Sequence, residues 1–348
     1  MVNGLREPEP HIAGCSGMKK FAITAALIAL CAVTPLSAQD ASASSSEPEK
    51  VSSGPLSVEL PAGVTQADLG KRDVQMIAVQ VLLDRSRHSP GVIDGYAGGN
   101  TNRAIAAYRK AKGLSGSGID RKLLASLLET QSGDIFRTYT ITQEDLNYDF
   151  VDVPSDFVAK AKLDQLNYET PVEMLAERFH MDQDFLKALN PGKDFSRAGT
   201  TINIVSHGDE RLDGKVARIE VRKSEGAVVA LDGGGKMLAS YPATIGSSNF
   251  PSPSGSMEVR AIAPAPNYTF DASEQDWGPD ETLIIPPGPN NPVGGTWIDL
   301  GKNGYGIHGS PDPQLIGKTA SHGCVRLTNW DAEELAKAVT QGVPVVFT

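Results

Sequence analysis

From Val216 to the C-terminus the sequence is a series of short segments in which apolar and polar residues alternate, and this pattern constrains the fold more than any other feature. The segments include VARIEVRK, AVVALD, MLASYPATIG, TLIIP and GTWIDLG, separated by turns that contain glycine or proline. Alternation with a period of two places every second side chain on the same face of a strand. We therefore predict a β-sandwich or barrel, interrupted by one helix from about Trp330 to Val339 with Asn329 as its cap.

Residues 71–130 predict a small unit of three helices ahead of this β region. One apolar stripe starts at Val74, a second helix starts with Thr101 as cap and stops at Gly113, and Asp120 caps a third. The stretch GVIDGYAGGNTNRAIAAYRKAKGL resembles the small helical peptidoglycan-binding domain of many cell-wall enzymes. The alternative is a helical spacer that binds no ligand.

Residues 160–207 predict a second small unit with α+β structure. Thr170 caps a helix that has Pro171 at its first position and Glu173 closing a capping box, and Asp182 starts another helix. The segment TTINIVS alternates like a strand. The sequence LAERF, LNP and AGTTINI resembles a LysM carbohydrate-binding module.

The N-terminal region predicts export. Residues 1–38 contain two lysines, an apolar run of about 14 residues and small residues ending at Ala38, which is typical of a cleaved signal peptide whose true start is Met18. Residues 39–70 are rich in Ser, Ala, Glu and Pro and predict a disordered linker. We expect a location in the periplasm or cell wall. A net charge of -10 argues against nucleic acid as a partner.

Cys324 is the only cysteine that remains after the predicted cleavage at Ala38, because Cys15 and Cys31 both precede it. An unpaired thiol in an exported protein is a reactive group, an intermolecular partner or a small buried apolar side chain. His308 and His322 are candidate bases near it in sequence. The residues also allow a zinc site formed by these two histidines and Cys324, or a structural loop with incidental histidines.

The stretch YGIHGSPDPQLIGKTASHGCVRLTNWDAEEL resembles the signature of the L,D-transpeptidase (YkuD-type) catalytic domain, which we expect over residues 214–348. ATIGSSNFPSPSG and PPGPNNPVGGTWIDLG resemble two further segments of that family. The predicted fold class is therefore multidomain: a mainly-β sandwich preceded by the three-helix domain and the LysM-like module.

The resemblance implies an exported acyltransferase that acts on peptidoglycan tetrapeptide stems through a cysteine thioester and releases D-Ala. Cys324 is then the nucleophile and His308 the base, with the Gly309 carbonyl orienting the imidazole ring. His322, Gly323 and Cys324 would line the oxyanion hole, supported by Ser321. Candidate substrate-binding residues are Arg326, Tyr305 and Trp297.

The expected partners are peptidoglycan stem peptides and glycan, and no metal or cofactor is expected. The acceptor is left open between a stem peptide, an outer-membrane or wall-anchored protein, a free D-amino acid and water, the last giving an L,D-carboxypeptidase. A non-catalytic peptidoglycan-binding protein is the other alternative.

Overall fold

The computed structural model describes residues 12–13, 58–130, 133–209, 211–246, 252–273, 279–302, 304–319 and 323–348. Most of the predicted signal region and linker, and also Ser321 and His322, lie outside these residues. Among the described residues, no helix is both long and apolar enough to cross a membrane.

Helices predominate in the first half of the chain and strands in the second half. The α-helices are α1 Gln66–Leu69, α2 Val74–Arg85, α3 Gly99–Lys112, α4 Arg121–Thr130, α5 Gln143–Leu146, α6 Phe157–Lys160, α7 Pro171–Arg178, α8 Gln183–Ala188 and α9 Asn329–Ala338, with one 3-10 helix at Pro313–Leu315. The strands are β1 Ile12–Ala13, β2 Phe136–Thr140, β3 Thr201–Val205, β4 Arg218–Arg222, β5 Ala227–Leu231, β6 Met237–Pro242, β7 Thr244–Ile245, β8 Gly255–Glu258, β9 Ala261–Pro264, β10 Tyr268–Phe270, β11 Leu283–Ile285, β12 Thr296–Asp299, β13 Gly306–His308, β14 Val325–Arg326 and β15 Pro344–Phe347.

The C-terminal region forms a sandwich of two five-stranded sheets, as the alternating sequence pattern predicted. One sheet has the order β7, β14, β13, β12, β9 and the other β6, β5, β4, β15, β8. Their facing side chains share one core with α9, because each strand presents every second residue inward. That core includes Ile219, Val228, Ile298, Ile307, Val325 and Leu335.

Residues 58–130 form the helical unit, in which α2, α3 and α4 pack around a common core. Gly113 ends α3 in the left-handed conformation with φ 64°, and Asp120 Oδ1 accepts a hydrogen bond from the Leu123 amide at 2.8 Å, as predicted. The predicted cap Thr101 was wrong. The cap is Gly98, three residues earlier, and the Thr101 hydroxyl is buried where it accepts a hydrogen bond from Gln80 Nε2 at 3.2 Å.

Residues 133–209 form the α/β unit, which starts earlier in the chain than the predicted boundary at residue 160. The strand that pairs with β3 is β2, at Phe136–Thr140. Thr170 caps α7 through the Glu173 amide at 3.1 Å, as predicted. The predicted capping box is displaced by one residue, because the Glu173 carboxylate accepts from the Glu169 amide at 2.6 Å.

Helix α2 joins the helical and α/β units into one body. The sequence predicted one apolar stripe, but α2 is buried on nearly every side from Met76 to Asp84. Leu82 faces the core of the helical unit, whereas Ile77 and Val81 belong to the core of the α/β unit. A helix that is apolar around most of its surface must be covered on all of those sides.

The helical unit also contacts the sandwich. The Ser240 amide of edge strand β6 donates to the Arg87 carbonyl at 2.9 Å, and the Ser89 amide donates to the Ser240 carbonyl at 2.9 Å. These bonds extend the sheet by one short bridge between His88 and Ser240. The edge of this sheet is therefore covered by a loop of the helical unit.

Helix α9 starts where the sequence predicted, with a different cap. Thr328 Oγ1 accepts from the Asp331 amide at 3.2 Å, so Thr328 and not Asn329 is the cap. The Asn329 side chain is therefore available for contacts outside the helix.

Candidate active site

The strands of the first sheet bring four predicted site residues to one face. Trp297 on β12 pairs with His308 on β13, and His308 pairs with Arg326 on β14. The residues between them belong to the sandwich core, so these three side chains point to the opposite face. Cys324, two residues before Arg326, packs in the same outer cluster as Trp297. Side chains from β10, β11 and residues 153–166 cover this face.

His308 is buried and has a defined ring orientation. Its Nδ1 lies 2.7 Å from the Gly309 carbonyl oxygen, so a neutral ring donates there, and the backbone of Val293 also hydrogen-bonds to the ring. The Trp297 ring stacks on the imidazole with centroids 5.3 Å apart and an angle of 19°. Burial, followed by the positive charge of Arg326, lowers the pKa of His308 to about 3, so the ring is neutral at pH 7.

Two glycines make this arrangement sterically feasible. A side chain at residue 306 would overlap the indole of Trp297, and one at Gly309 would overlap the Asn329 amide. The Trp297 ring can therefore lie flat along β13, and the peptide after His308 can approach α9 closely. The GYGIHG motif is in this respect a packing requirement of the site.

Cys324 is 2% exposed, and its Sγ lies 3.2 Å from the Gly304 carbonyl oxygen. The sequence predicted an unpaired thiol in the mature chain, whereas in the full chain Cys324 is disulfide-bonded. The other cysteines of the chain are Cys15 and Cys31, which lie outside the described residues. Both belong to the predicted signal region, so the expectation of an unpaired thiol applies to the chain after cleavage.

Arg326 is a largely buried cation without a carboxylate partner among the described ion pairs. Its Nε is buried and makes no hydrogen bond to a described residue. Burial lowers the pKa of Arg326, and Tyr268 and Asp312 are the groups that act in the other direction. A guanidinium Nε that is buried without a hydrogen bond costs stability, and the group is well suited to bind an anionic ligand.

The turn before Cys324 is described only in part. Gly323 has φ 113°, which favours glycine, and its carbonyl accepts a hydrogen bond from Ser252 Oγ at 2.7 Å. Tyr305 is half-buried, with the Lys302 ammonium 4.5 Å from its ring centroid. The predicted roles of Ser321 and His322 fall outside the described residues.

The sequence analysis missed Asn329, which holds the segment after His308. Its Oδ1 accepts from the Gly295 and Ser310 amides, both at 3.1 Å. Its Nδ2 donates to the two carboxylate oxygens of Glu177 in the α/β unit, at 3.1 and 3.0 Å. The sequence signal was the adjacent pair Thr328 and Asn329, since only one of two neighbouring cap residues can cap the helix.

Ser252 is the second residue to which the sequence analysis gave no role. It is buried and lies within the segment ATIGSSNFPSPSG, which the sequence analysis used only as supporting similarity. Its hydroxyl fixes the carbonyl of the residue immediately before Cys324. A serine that precedes proline in a loop gives no local signal for such a distant contact.

Comparison with known proteins identifies the β region. Residues 216–347 match the family model described as the L,D-transpeptidase catalytic domain, YkuD. The chain is 28% identical over 179 residues to a putative L,D-transpeptidase YkuD of Bacillus licheniformis, covering 51% of this chain and 93% of that protein. It is 28% identical over 187 residues to a probable L,D-transpeptidase YbiS of Escherichia coli, covering 51% of this chain and 60% of that protein.

Among solved structures, an L,D-transpeptidase from Mycobacterium smegmatis matches with 16% identity and a TM-score of 0.33, covering 45% of this chain and 76% of that one. An L,D-transpeptidase 3 from Mycobacterium tuberculosis in complex with a faropenem-derived adduct gives 16% identity and a TM-score of 0.33, covering 43% and 74%. The family model and the sequence relatives carry the assignment of the catalytic domain.

Proposed function

We propose that the YkuD-type L,D-transpeptidase catalytic domain formed by residues 216–347 transfers the acyl group of a peptidoglycan tetrapeptide stem through a thioester on Cys324. The Cys324 thiolate attacks the carbonyl carbon of the third stem residue. The bond to the terminal D-Ala breaks, and His308 donates a proton to the departing amine. An acceptor amine then attacks the thioester, and the thiolate is released.

The observation that carries this proposal is the defined orientation of His308 on the sheet face that also carries Cys324. Because Nδ1 donates to the Gly309 carbonyl, Nε2 is the nitrogen that would take a proton from a thiol. A thiol at its ordinary pKa is mostly protonated near neutrality, so a positioned base is what the reaction requires. Amides of the turn that contains Gly323 would stabilise the oxyanion.

Arg326 supports an anionic stem peptide as the substrate. Its guanidinium faces the sheet surface between His308 and Tyr268 and accounts for part of the low pKa of His308. A substrate carboxylate bound there would neutralise that charge. The basicity of His308 would then rise when substrate binds, which couples recognition to the proton transfer.

The disulfide state determines when the reaction can occur. A disulfide sulfur has no thiolate to attack with, so the proposed chemistry belongs to the chain after reduction or after removal of the N-terminal cysteines. Cleavage near Ala38 leaves Cys324 as the single cysteine. Export to the periplasm or cell wall is therefore part of the proposal. Export would also bring the enzyme to the compartment that contains peptidoglycan.

The helical and α/β units would hold the enzyme on glycan or stem peptides. The support for this role is their sequence resemblance to peptidoglycan-binding and LysM modules. Binding to the polymer would raise the local concentration of stem peptides at Cys324 without adding contacts at the reacting atoms.

The test uses the full chain reduced with a phosphine, mixed with purified tetrapeptide muropeptides and followed by intact mass. We expect a transient adduct on Cys324, loss of D-Ala and new crosslinked dimers, all absent from Cys324→Ser. An adduct that yields only tripeptide would mean that water is the acceptor. Tight binding to peptidoglycan with neither adduct nor D-Ala release would support a non-catalytic binding protein instead.

A further inference from the structure

A second cluster of chemically reactive side chains lies where α2 meets the α/β unit. Asp84 is near the end of α2, His180 follows α7, and His207 follows β3. One ligand atom from each of them lies within 4.8 Å of the others. His180 Nδ1 and Asp84 Oδ1 are 3.1 Å apart.

The separation of the ligand atoms is compatible with one small divalent ion. Zinc binds imidazole nitrogen and carboxylate oxygen at about 2.0–2.2 Å, so two ligands of a tetrahedral site lie about 3.3 Å apart. His180 Nδ1 and Asp84 Oδ1, 3.1 Å apart, form a hydrogen bond in the structure and already have nearly that spacing. The ligand atom of His207 lies within 4.8 Å of the other two and would have to move towards them to complete the set.

His207 gives an independent indication of a ligand. Its Nε2 faces Arg137 Nη2 at 3.5 Å, while its Nδ1 is buried and makes no hydrogen bond to any described residue. An imidazole with a buried nitrogen that makes no side-chain hydrogen bond can offer that nitrogen to a metal ion.

The surroundings carry an excess of buried acid. A cavity of about 10 Å³, close to the volume of one water molecule, is lined by Asp84, His180, Asp331 and Glu334, with Arg87 as its cation. A water in this cavity would contact Asp84 and His180, on the side of the cluster away from His207.

We propose that Asp84, His180 and His207 bind one Zn²⁺ or a transition-metal ion of similar size, which fastens α2 to the α/β unit. The Trp330 ring of α9 stacks on His180 with centroids 5.0 Å apart and an angle of 10°, so the ion would also fix the imidazole against the sandwich. The site uses none of the residues assigned to acyl transfer.

The test uses the full chain with Cys15→Ser, Cys31→Ser and Cys324→Ser, which removes all thiols that bind zinc. After treatment with a chelator, Zn²⁺ is titrated by calorimetry and the unfolding temperature is measured with and without the ion. We expect one ion per chain with micromolar or tighter affinity and a rise of several degrees in unfolding temperature, as for any ligand specific to the folded state. Co²⁺ should give the visible absorption of a tetrahedral site.

His207→Gln should weaken zinc binding by about 100-fold, because it removes one of three protein ligands. Asp184→Asn, an exposed carboxylate on α8, is the matched control and should leave the affinity unchanged. Weak or multiple binding in the thiol-free chain, with no effect on the unfolding temperature, would overturn the proposal. So would an unchanged affinity in His207→Gln. If His207→Gln is unfolded without metal, the titration of the thiol-free chain decides alone.

Discussion

The outer sheet face around His308 and the junction between α7 and α9 both bury ionisable groups, but their hydrogen bonding differs. At the junction Glu177 accepts hydrogen bonds from Asn329 and Tyr168. On the sheet face, the Nε of Arg326 makes no hydrogen bond to a described residue. Satisfied buried groups fix the arrangement of the units, whereas an unsatisfied one costs stability that a ligand can restore. We therefore expect substitutions on the sheet face to change activity and those at the junction to change stability.

The largest effect is expected from His308→Gln. Loss of the base should lower the rate of acyl-enzyme formation by about 100- to 10,000-fold, the range for general acid–base catalysis. The rate is measured by quenching the reaction at set times and quantifying the Cys324 adduct by intact-protein mass spectrometry. His88→Gln removes another buried imidazole, in the helical unit, and should retain the rate. An equal loss of rate in both variants would show that replacing any buried histidine slows the reaction, and that His308 has no specific role as a base.

Asn329→Ala should cause the largest loss of stability. It removes the acceptor for the Gly295 and Ser310 amides and the donor to Glu177, so we expect a loss of about 2–3 kcal/mol in the free energy of unfolding. Chemical denaturation measures it, with the exposed Asn102→Ala as control. Activity should also fall, because the Gly309 carbonyl loses its support. A variant as stable as the parent would contradict the structural role of this contact.

Arg326→Met should lower activity without lowering stability. We expect kcat/KM for tetrapeptide stems to fall by about 10- to 100-fold, the cost of one charged hydrogen bond, while the unfolding free energy stays equal or rises. The exposed Arg121→Met is the control for loss of a positive charge. If Arg326→Met destabilises the fold and leaves kcat/KM intact, the guanidinium is structural and the contrast between the regions fails.

The smallest effect concerns pH. Burial raises the pKa of Glu177 to about 8 from 4.5, so the folded chain holds a proton that the unfolded chain releases. The contribution of Glu177 to stability is therefore complete below pH 4.5 and is lost as the pH rises towards 8. In Glu177→Gln this loss between pH 5 and 8 should be absent, because a glutamine side chain does not titrate.

Unfolding temperatures across that range measure the effect, and Glu333→Gln, a half-exposed acid on α9, is the control. The groups that face Glu177 are Tyr168, Asn329, Glu173 and His180. Parallel pH profiles for Glu177→Gln and the unmodified chain would mean that Glu177 is ionised in the folded state.

Local sequence signals predicted the strands and most helix ends, because alternation, Asp and Thr caps and a terminal glycine act over a few residues. The family assignment of residues 216–347 is confirmed by the family model. The errors at Thr101 and Asn329 arose where a polar side chain has a tertiary partner that competes with capping. The contacts of Ser252 with Gly323, and of Asn329 with Glu177, join residues 71 and 152 positions apart, which no local pattern encodes.

The ligands of the two N-terminal units, the signal region and the roles of Ser321 and His322 stay predictions. The helical and α/β units have the predicted secondary structure, but a fold alone does not specify a ligand. The signal region and the residues Ser321 and His322 lie outside the described part of the chain. The sequence of α2, VQMIAVQVLLDR, is apolar around most of the helix and so indicates burial on several sides, but which unit covers each side depends on distant contacts.

That shared helix has a consequence for how the enzyme would work on a polymer. Deleting residues 58–130 would remove Leu69, Ile77, Val81 and Ile93 from the core of the α/β unit, so the remaining chain should expose apolar surface and aggregate. Because the two units share this helix, they cannot swing apart without opening a buried core. A ligand bound to either unit would therefore stay at a fixed distance from the other.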